Sequence, residues 1–468
     1  MKVIWSFALL SLSSLAHAGV VQNGTFAMLS GGACDDQTQN CYLDNPDIAE
    51  SVVGRLAAIG VTRFLVPSAT LEELRTIASP IKARGLEFYT YERWAFESAT
   101  KGGQFDCGRY TSERVNPVIV RLKAEFGSSF AGLHFKDEPP EADITPLAQM
   151  SKCIKADERL AGLKIFINLF PLHVNSASYA GSPNGGAMVP IEYGVDCGSS
   201  RIVYPERTAQ MVARYSAFAQ RVSDEIAPDQ LSFDLYPFTP SLRNCPTARD
   251  LLLSENMSII SNLGKSRNQE PIAYLQNVQS AYPALSQDPF EYASFHELRW
   301  FAGWSFAFGI RGFSNFITHD VGSHSGVPSG SDMLGMFDKN NAPRHLASDQ
   351  QSAFGVTAQV QEAIKDVEHL GFADNSLGVP SARISGWLSS ESFLLGEYGN
   401  ADLSHAYIVV AARAPRQPAS GVIGLKQWWH GIEKLDFESG VWHRVGTSTN
   451  RIDVQIGLMP LELYRLSR

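Results

Sequence analysis

Eight apolar runs of strand length, most of them separated by stretches with apolar residues at helical spacing, constrain the fold of this chain more than any other feature. The runs are NGTFAMLS (23–30), VTRFLVPS (61–68), LEFYTYER (86–93), FAGLHFKDE (130–138), LKIFINLF (163–170), LSFDLYPF (231–238), PIAYLQNVQ (271–279) and GFSNFITHD (312–320). Segment 46–59, PDIAESVVGRLAAI, has the helical repeat and stops at Gly60, and 205–226 repeats it over a longer span. Strand–helix–strand order demands parallel strands, because each crossover must travel back along the sheet before the next strand begins. Eight such units predict an α/β fold closed as a (β/α)8 TIM barrel. The competing open, doubly wound sheet would announce a dinucleotide site by Gly-x-Gly-x-x-Gly after its first strand, and none is present.

From about residue 383 the rhythm changes. RISGWLSS, FLLGEYG, HAYIVVAARAP, GVIGLKQWWHG, GVWHRVGT, RIDVQIGL and LELYRLSR follow one another with turns between them and no helical spacing. They predict an antiparallel β-sandwich over 383–468, packed on a barrel over 19–375, with a helix at 351–370 joining the two. Residues 2–18, KVIWSFALLSLSSLAHA, carry one positive charge, an apolar centre and small residues at Ala16 and Ala18, the pattern of a cleaved secretion signal spanning 1–18. No later stretch has eighteen uninterrupted apolar residues, so no membrane span is expected and a secreted or periplasmic location is.

Export also bears on Cys34, Cys41, Cys107, Cys153, Cys197 and Cys245, all placed before residue 250. In an oxidising compartment they predict up to three disulfides stapling long loops, with Cys34 and Cys41 paired by proximity, and their spacing is unlike a zinc site. Lys and Arg number 39 against 48 Asp and Glu, with no basic tract. Such a chain lacks a nucleic-acid footprint, and polar small solutes or glycans suit it better.

The run FAGLHFKDEPP (130–140) ends on Lys136, Asp137 and Glu138 before two prolines. In a barrel all eight strand ends share one face, where substrates bind. The other strands deliver Tyr91, Glu92 and Trp94 after the third, Asn168 at the fifth, Asp234 and Tyr236 at the sixth, Gln276 and Gln279 at the seventh, and His319 and Asp320 at the eighth. Polar ends from so many strands converge if they line one cavity.

An acidic residue followed by Glu138 and Pro139 at the end of a fourth strand resembles the Asn/Asp-Glu-Pro signature of the large retaining glycoside hydrolase clan with (β/α)8 barrels. LSFDLYPF and HELRWFAGWSFAFGIRGFSNFI (296–317) are similar to the barrel of beta-galactosidase-like proteins in that clan. The resemblance covers roughly residues 23–370 and implies that Glu138 is the general acid/base of a hydrolase acting on an oligo- or polysaccharide. It also implies a nucleophilic Glu at the end of the seventh strand, where this chain has Gln276 and Gln279.

Glycoside hydrolysis needs a protonated carboxyl at the leaving oxygen and a second carboxylate near the anomeric carbon. Asp234, followed by Tyr236 and Pro237, is the preferred second group, and Glu92 the reserve. Each has a structural alternative: Glu138 in an ion pair with Lys136 or an Arg, Asp137 orienting a neighbour, Glu92 and Asp234 bonded at strand ends, Glu297 capping a helix. Tyr91, Trp94 and Tyr236 could offer rings to the C–H face of a sugar, with Glu92, Asp137, Asn168, Gln276, Gln279 and His319 hydrogen bonding its rim. Trp300 and Trp304, four apart on one helix face, are read as core, and of adjacent Trp428 and Trp429 at most one enters the core from a strand. The Gly- and Ser-rich connections 173–206 and 318–344 are long enough to form cleft walls. No metal site and no cofactor are expected; His319, Asp320 and His324 are residue types that can ligate a metal, but their spacing is a weak signal for one. The alternative function is a non-catalytic carbohydrate-binding or cell-envelope protein on a hydrolase-like barrel.

Overall fold

The computed structural model describes residues 25–29, 41–174, 178, 181, 188–199, 201–286, 288–322, 327–375, 379–380 and 383–468. The expected signal segment 1–18, Cys34, His324 and much of the wall at 173–206 lie outside the described residues.

Eight parallel strands close a barrel: β1 Thr25–Met28, β2 Arg63–Val66, β3 Glu87–Tyr91, β4 Phe130–Asp137, β5 Lys164–Leu169, β6 Gln230–Phe233, β7 Glu270–Leu275 and β8 Gly312–Asn315. Every run read as a barrel strand overlaps one of them, β6 and β7 beginning one residue before their runs. Helices follow the strands: α1 Pro46–Ala58, α2 Leu71–Ala83, α3 Val120–Phe126 after a π-helical stretch, α4 Glu141–Ala156, α5 Pro205–Arg221, α6 Pro246–Arg267, α7 Phe295–Ala307 and α8 His345–Ile364. Local chemistry starts them. Asn45 accepts from the N–H groups of Asp47 and Ile48 with Pro46 in the first turn of α1, while Thr70 and Glu73 close a capping box on α2. Ser294 and Glu297 do the same for α7, the capping role read for Glu297.

Two layers of apolar side chains follow from strand alternation. One set faces the helices; the other, including Phe26, Leu65, Tyr89, Phe166, Ile272 and Tyr274, fills the barrel. Gly132 makes room there, since a Cβ on it would lie 2.5 Å from the Tyr89 ring and 2.3 Å from Lys164 O. The barrel floor is polar and closed. Arg63 bonds Glu270 at 2.9 Å and Glu87 at 3.2 Å, and Gln230 donates to Glu270 at 2.8 Å.

The C-terminal strands form one antiparallel sheet: β9 Glu368–Asp374, β10 Val379–Pro380, β11 Ser385–Leu388, β12 Phe393–Gly399, β13 Ala406–Ala412, β14 Ala419–Asp436, β15 Val441–Ile456 and β16 Leu461–Ser467. Three boundaries differ from the sequence reading. The joining helix ends at Ile364 and β9 already pairs with β12, so this sheet begins before 383. The runs GVWHRVGT and RIDVQIGL are parts of one strand, β15, because β14 is long enough to pair along both. Helix α7 seats the sheet on the barrel: Trp300 and Trp304 are buried and donate to Arg413 O and Ala412 O at 3.1 and 3.0 Å. Contact is close enough that a Cβ on Gly396 would come 2.7 Å from Ala307 Cα.

Two disulfides, Cys107–Cys153 and Cys197–Cys245, tie connections to α4 and to the start of α6. Cys41 is disulfide-bonded as well. No helix among the described residues is long and apolar enough to cross a membrane.

Candidate active site

The charged end of β4 is re-aimed by a bulge. Ladder partners to β5 run Leu133 to Ile165 and His134 to Phe166, but Asn168 is opposite Asp137 instead of Lys136, so β4 carries one extra residue. Bulges turn the following side chains. Lys136 consequently leaves the barrel and bonds Asp143 of α4 at 2.6 Å and Glu97 at 3.4 Å. Asp137 takes its place in the layer that contains Asn168. Asn168 Nδ2 donates to Asp137 Oδ1 at 2.8 Å, and Ser232 Oγ donates to Asn168 Oδ1 at 2.7 Å.

Glu138 follows with φ of +46°, a left-handed conformation uncommon for a residue with a side chain. Its N–H donates to Asn168 O at 3.0 Å, which holds the backbone there. In this conformation the Glu138 carboxyl reaches hydrogen-bond contact with the Asp234 carboxyl at the end of β6. Two carboxyls can bond only by sharing a proton. Burial and then the Asp137 charge push Glu138 up to about 8, against the lowering effect of the Asp234 bond. Burial, then Glu138 and Asp137, push Asp234 far above the carboxylate range. Asp137 is also raised by burial, although Asn168 and Arg93 pull the other way. The pair as a unit therefore keeps a proton at neutral pH.

Aromatic groups surround these acids. The Tyr91 ring stacks on His134, centroids 4.9 Å apart, and the Tyr91 hydroxyl accepts from Asp137 N at 3.4 Å. Tyr236 is edge-on to Phe290 at 5.2 Å, and its hydroxyl has no partner among the described residues. Trp94 is 65% exposed beneath the Arg93 guanidinium, outside the buried cluster.

Other residues read as site groups serve the framework. Glu92 is fully buried, and burial alone would raise its pKa; Arg114 at 2.7 and 2.9 Å, Thr90 at 2.7 Å and Tyr110 at 3.2 Å outweigh this and hold it lowered. That engagement corrects its reading as a substrate ligand or reserve carboxylate. Gln276 is also committed: its amide binds Phe238 N and O at 2.9 and 3.1 Å and Glu291 O at 2.9 Å, fixing the connection after β6. His319 lies between Thr318 and Asn341 at 3.0 and 3.2 Å, and burial lowers its pKa to about 4, so it is a neutral anchor of the 318–344 wall and not a rim ligand. Asp320 is held by Arg344 and Gly335 N. Gln279 pairs through its backbone with Leu334, tying the β7 connection to the same wall. Among the described residues, no group of three His, Cys, Asp or Glu is arranged to hold a metal ion.

Three residues of the site escaped the sequence reading. Ser232 supports Asn168, and His134 is buried beneath Tyr91, with burial lowering its pKa to about 3. Tyr274, on β7 directly after the Ala273 that pairs with Phe233, points into the barrel; its hydroxyl lies near Ser314, but neither forms a hydrogen bond of good geometry. Alternation was the available signal, since 232 and 234 share one face of β6 and 272 and 274 one face of β7.

No family model matches this chain, and no curated protein does. Among solved structures it is similar to GH5_18 from Streptomyces cattleya in complex with GlcNAc, at 11% identity and a TM-score of 0.41, over 72% of this chain and 81% of that one. It is also similar to an exo-beta-1,4-mannosidase from Opitutaceae bacterium strain TAV5, at 13% identity and a TM-score of 0.43, covering 72% and 60%. A glycosylated endo-beta-1,4-xylanase of glycoside hydrolase family 10 from Gloeophyllum trabeum matches at 12% identity and a TM-score of 0.39, covering 72% and 97%.

Proposed function

We propose that the protein is an exported glycoside hydrolase in which Glu138 and Asp234 cleave an O-glycosidic bond of an oligo- or polysaccharide. One observation carries this reading: two buried carboxyls, Glu138 just after β4 and Asp234 just after β6, meet at the carboxyl-end face of the barrel, where burial and proximity raise both above isolated carboxyls. A shared proton supplies one acid and one base together. When substrate binding places the shared proton on Glu138, Glu138 donates it to the glycosidic oxygen as that C–O bond breaks, and the Asp234 carboxylate so released attacks the anomeric carbon to form a glycosyl ester. Glu138, now ionised, takes a proton from water, whose oxygen attacks the same carbon and releases Asp234. Asn168 and Ser232 hold Asp137 beside the pair, and Tyr91 and Tyr236 offer ring faces to the sugar. Cys107–Cys153 and Cys197–Cys245 support an oxidising, exported location.

The test is turnover on a panel of natural glycans and aryl glycosides by wild type and Glu138→Gln. Loss on natural glycans, with partial recovery on aryl glycosides whose leaving group needs no proton, is expected. Unchanged turnover of Glu138→Gln on an unactivated glycan would sink the assignment. The binding-protein reading draws on Gln276, a side chain spent on backbone where the resembled clan has its nucleophile. It predicts saturable oligosaccharide binding with no product after long incubation.

A further inference from the structure

The mouth of the barrel is unusual in the balance of its charges. Asp137, Glu138 and Asp234 bring three acidic side chains into one buried cluster, each raised by burial and the latter two by one another or by Asp137. Lys136, the neighbouring cation in sequence, is turned outward by the bulge and bonded to Asp143 and Glu97. Arg93 acts on Asp137 from the rim, but it is itself bonded to Glu97 at 2.9 Å. The other strongly charged group near by, Arg114, is taken by Glu92. Acceptors therefore outnumber cations inside the site.

A second observation points to what fits there. Asp234 is 8% exposed and Tyr274 1% exposed, yet apart from the proton shared with Glu138 no donor among the described residues reaches Asp234 Oδ1, and the Tyr274 hydroxyl has no hydrogen-bond partner of good geometry there. Tyr236, two residues after Asp234, has an unpartnered hydroxyl as well. Buried oxygens of this kind cost free energy until a donor reaches them. Tyr274 lies on β7 and Asp234 and Tyr236 on the segment that directly follows the adjoining β6, and the carboxylate and two phenols can each accept a hydrogen bond.

Resting on the hydrolase reading above, we propose that the sugar unit bound beside Glu138 and Asp234 carries a free ammonium group, so that the substrate class is a glycan of non-acetylated amino sugars. An ammonium has three N–H donors and a full positive charge, which matches the two phenol oxygens together with the acidic cluster that contains Asp234. A neutral hydroxyl would satisfy one or two of the acceptors and leave the repulsion among the acids untouched. A uronate would add a fourth negative charge. Calcium is the other cation chemistry to consider, but no three acidic or His side chains of the described residues are arranged as ligands.

Calorimetric titration of the full chain tests this without requiring turnover. The probes are glucosamine and galactosamine oligomers, their N-acetylated counterparts of equal length, a uronic acid oligomer and calcium chloride. At pH 7 and low salt the ammonium forms should bind at least about tenfold tighter than the N-acetylated forms. Binding should release protons, read as a dependence of the heat on buffer ionisation, because a cation favours ionised Asp137, Glu138 and Asp234; Tyr91, Tyr236, Tyr274 and Arg93 are the other titratable or charged groups facing them. Asp234→Asn should abolish the preference, and Tyr274→Phe, which keeps the ring that packs the barrel, should reduce it. Equal or tighter binding of N-acetylated or uronate oligomers, a preference surviving in both variants, tight binding of calcium alone, or no binding of any ammonium sugar would overturn the proposal. Failure of the hydrolase reading looks different: ammonium sugars would bind selectively while no glycan was ever cleaved.

Discussion

The carboxyl of Glu138, in a left-handed backbone conformation immediately after β4, is hydrogen bonded to the carboxyl of Asp234, immediately after β6. Neither residue is near the other in sequence, and the contact depends on both the bulge in β4 and the closure of the barrel.

A proton held by this pair sets the alkaline limb of activity. Because Glu138 is raised to about 8, the acid form is retained through neutrality and lost above it, so kcat/KM should fall as pH rises past about 8. The same shift has a stability consequence of definite sign. Between its unfolded value near 4.5 and about 8, Glu138 is protonated when folded and ionised when unfolded; its contribution is fully present below about 4.5 and lost as pH rises through 8. Glu138→Gln, which cannot ionise, should therefore gain in Tm relative to wild type as pH is raised from 4 to 9. A difference that stays constant across that range would show that Glu138 titrates normally.

Stereochemistry follows from the spacing of the pair. Inverting enzymes hold their carboxyls about 6.5–9.5 Å apart to seat a water, and retaining enzymes about 5–5.5 Å apart. Carboxyls in hydrogen-bond contact are closer than either spacing and nearer the retaining one, so a sugar that parts them is expected to meet the retaining geometry and the first-formed product to keep the anomeric configuration. Asp234→Asn should lower turnover at least about a hundredfold with the fold intact, as loss of a nucleophile does. NMR of the nascent product decides the first point; an inverted anomer would remove Asp234 from the nucleophilic role.

Backbone strain at Glu138 predicts a trade between stability and activity. A non-glycine residue held in a sparsely populated region costs about 1–3 kcal/mol. Glu138→Gly removes that cost and the buried acid together, at the expense of a more flexible unfolded chain, and should raise stability by about 1 kcal/mol while abolishing turnover. Denaturant midpoints of the two proteins at pH 7 provide the check, and a less stable glycine variant would contradict the strain.

Glu92 should behave as a framework group. Arg114→Met leaves its buried charge without a cation, only Thr90 and Tyr110 still donating to it, and should cost about 3–5 kcal/mol of stability, the usual penalty for breaking a buried ion pair. Chemical denaturation measures it directly. A loss below about 1 kcal/mol would place Glu92 in a solvated setting and return it to the list of site acids.

The barrel was legible because its signals are local. Period-two and helical spacing, Asn45 before Pro46, and the Thr70–Glu73 and Ser294–Glu297 caps are determined by residues within one turn of each other. The same holds for Trp428 and Trp429: adjacent strand positions face opposite ways, and they are 68% and 0% exposed. Acidic strand ends at 92, 137, 138 and 234 were equally visible, and nothing local separates them. Glu92 became structural only because Arg114, 22 residues on, folds back against it. Gln276 was spent on the loop after β6 by contacts 15 and 38 residues away. Which of Lys136, Asp137 and Glu138 enters the barrel depended on a one-residue bulge, a property of the ladder between two strands. Sequence alone determined which polar residues stand at the strand ends; tertiary structure decided which of them enter the site and in what charge state, because a carboxyl's proton affinity depends on burial and on the charges brought beside it by distant parts of the chain.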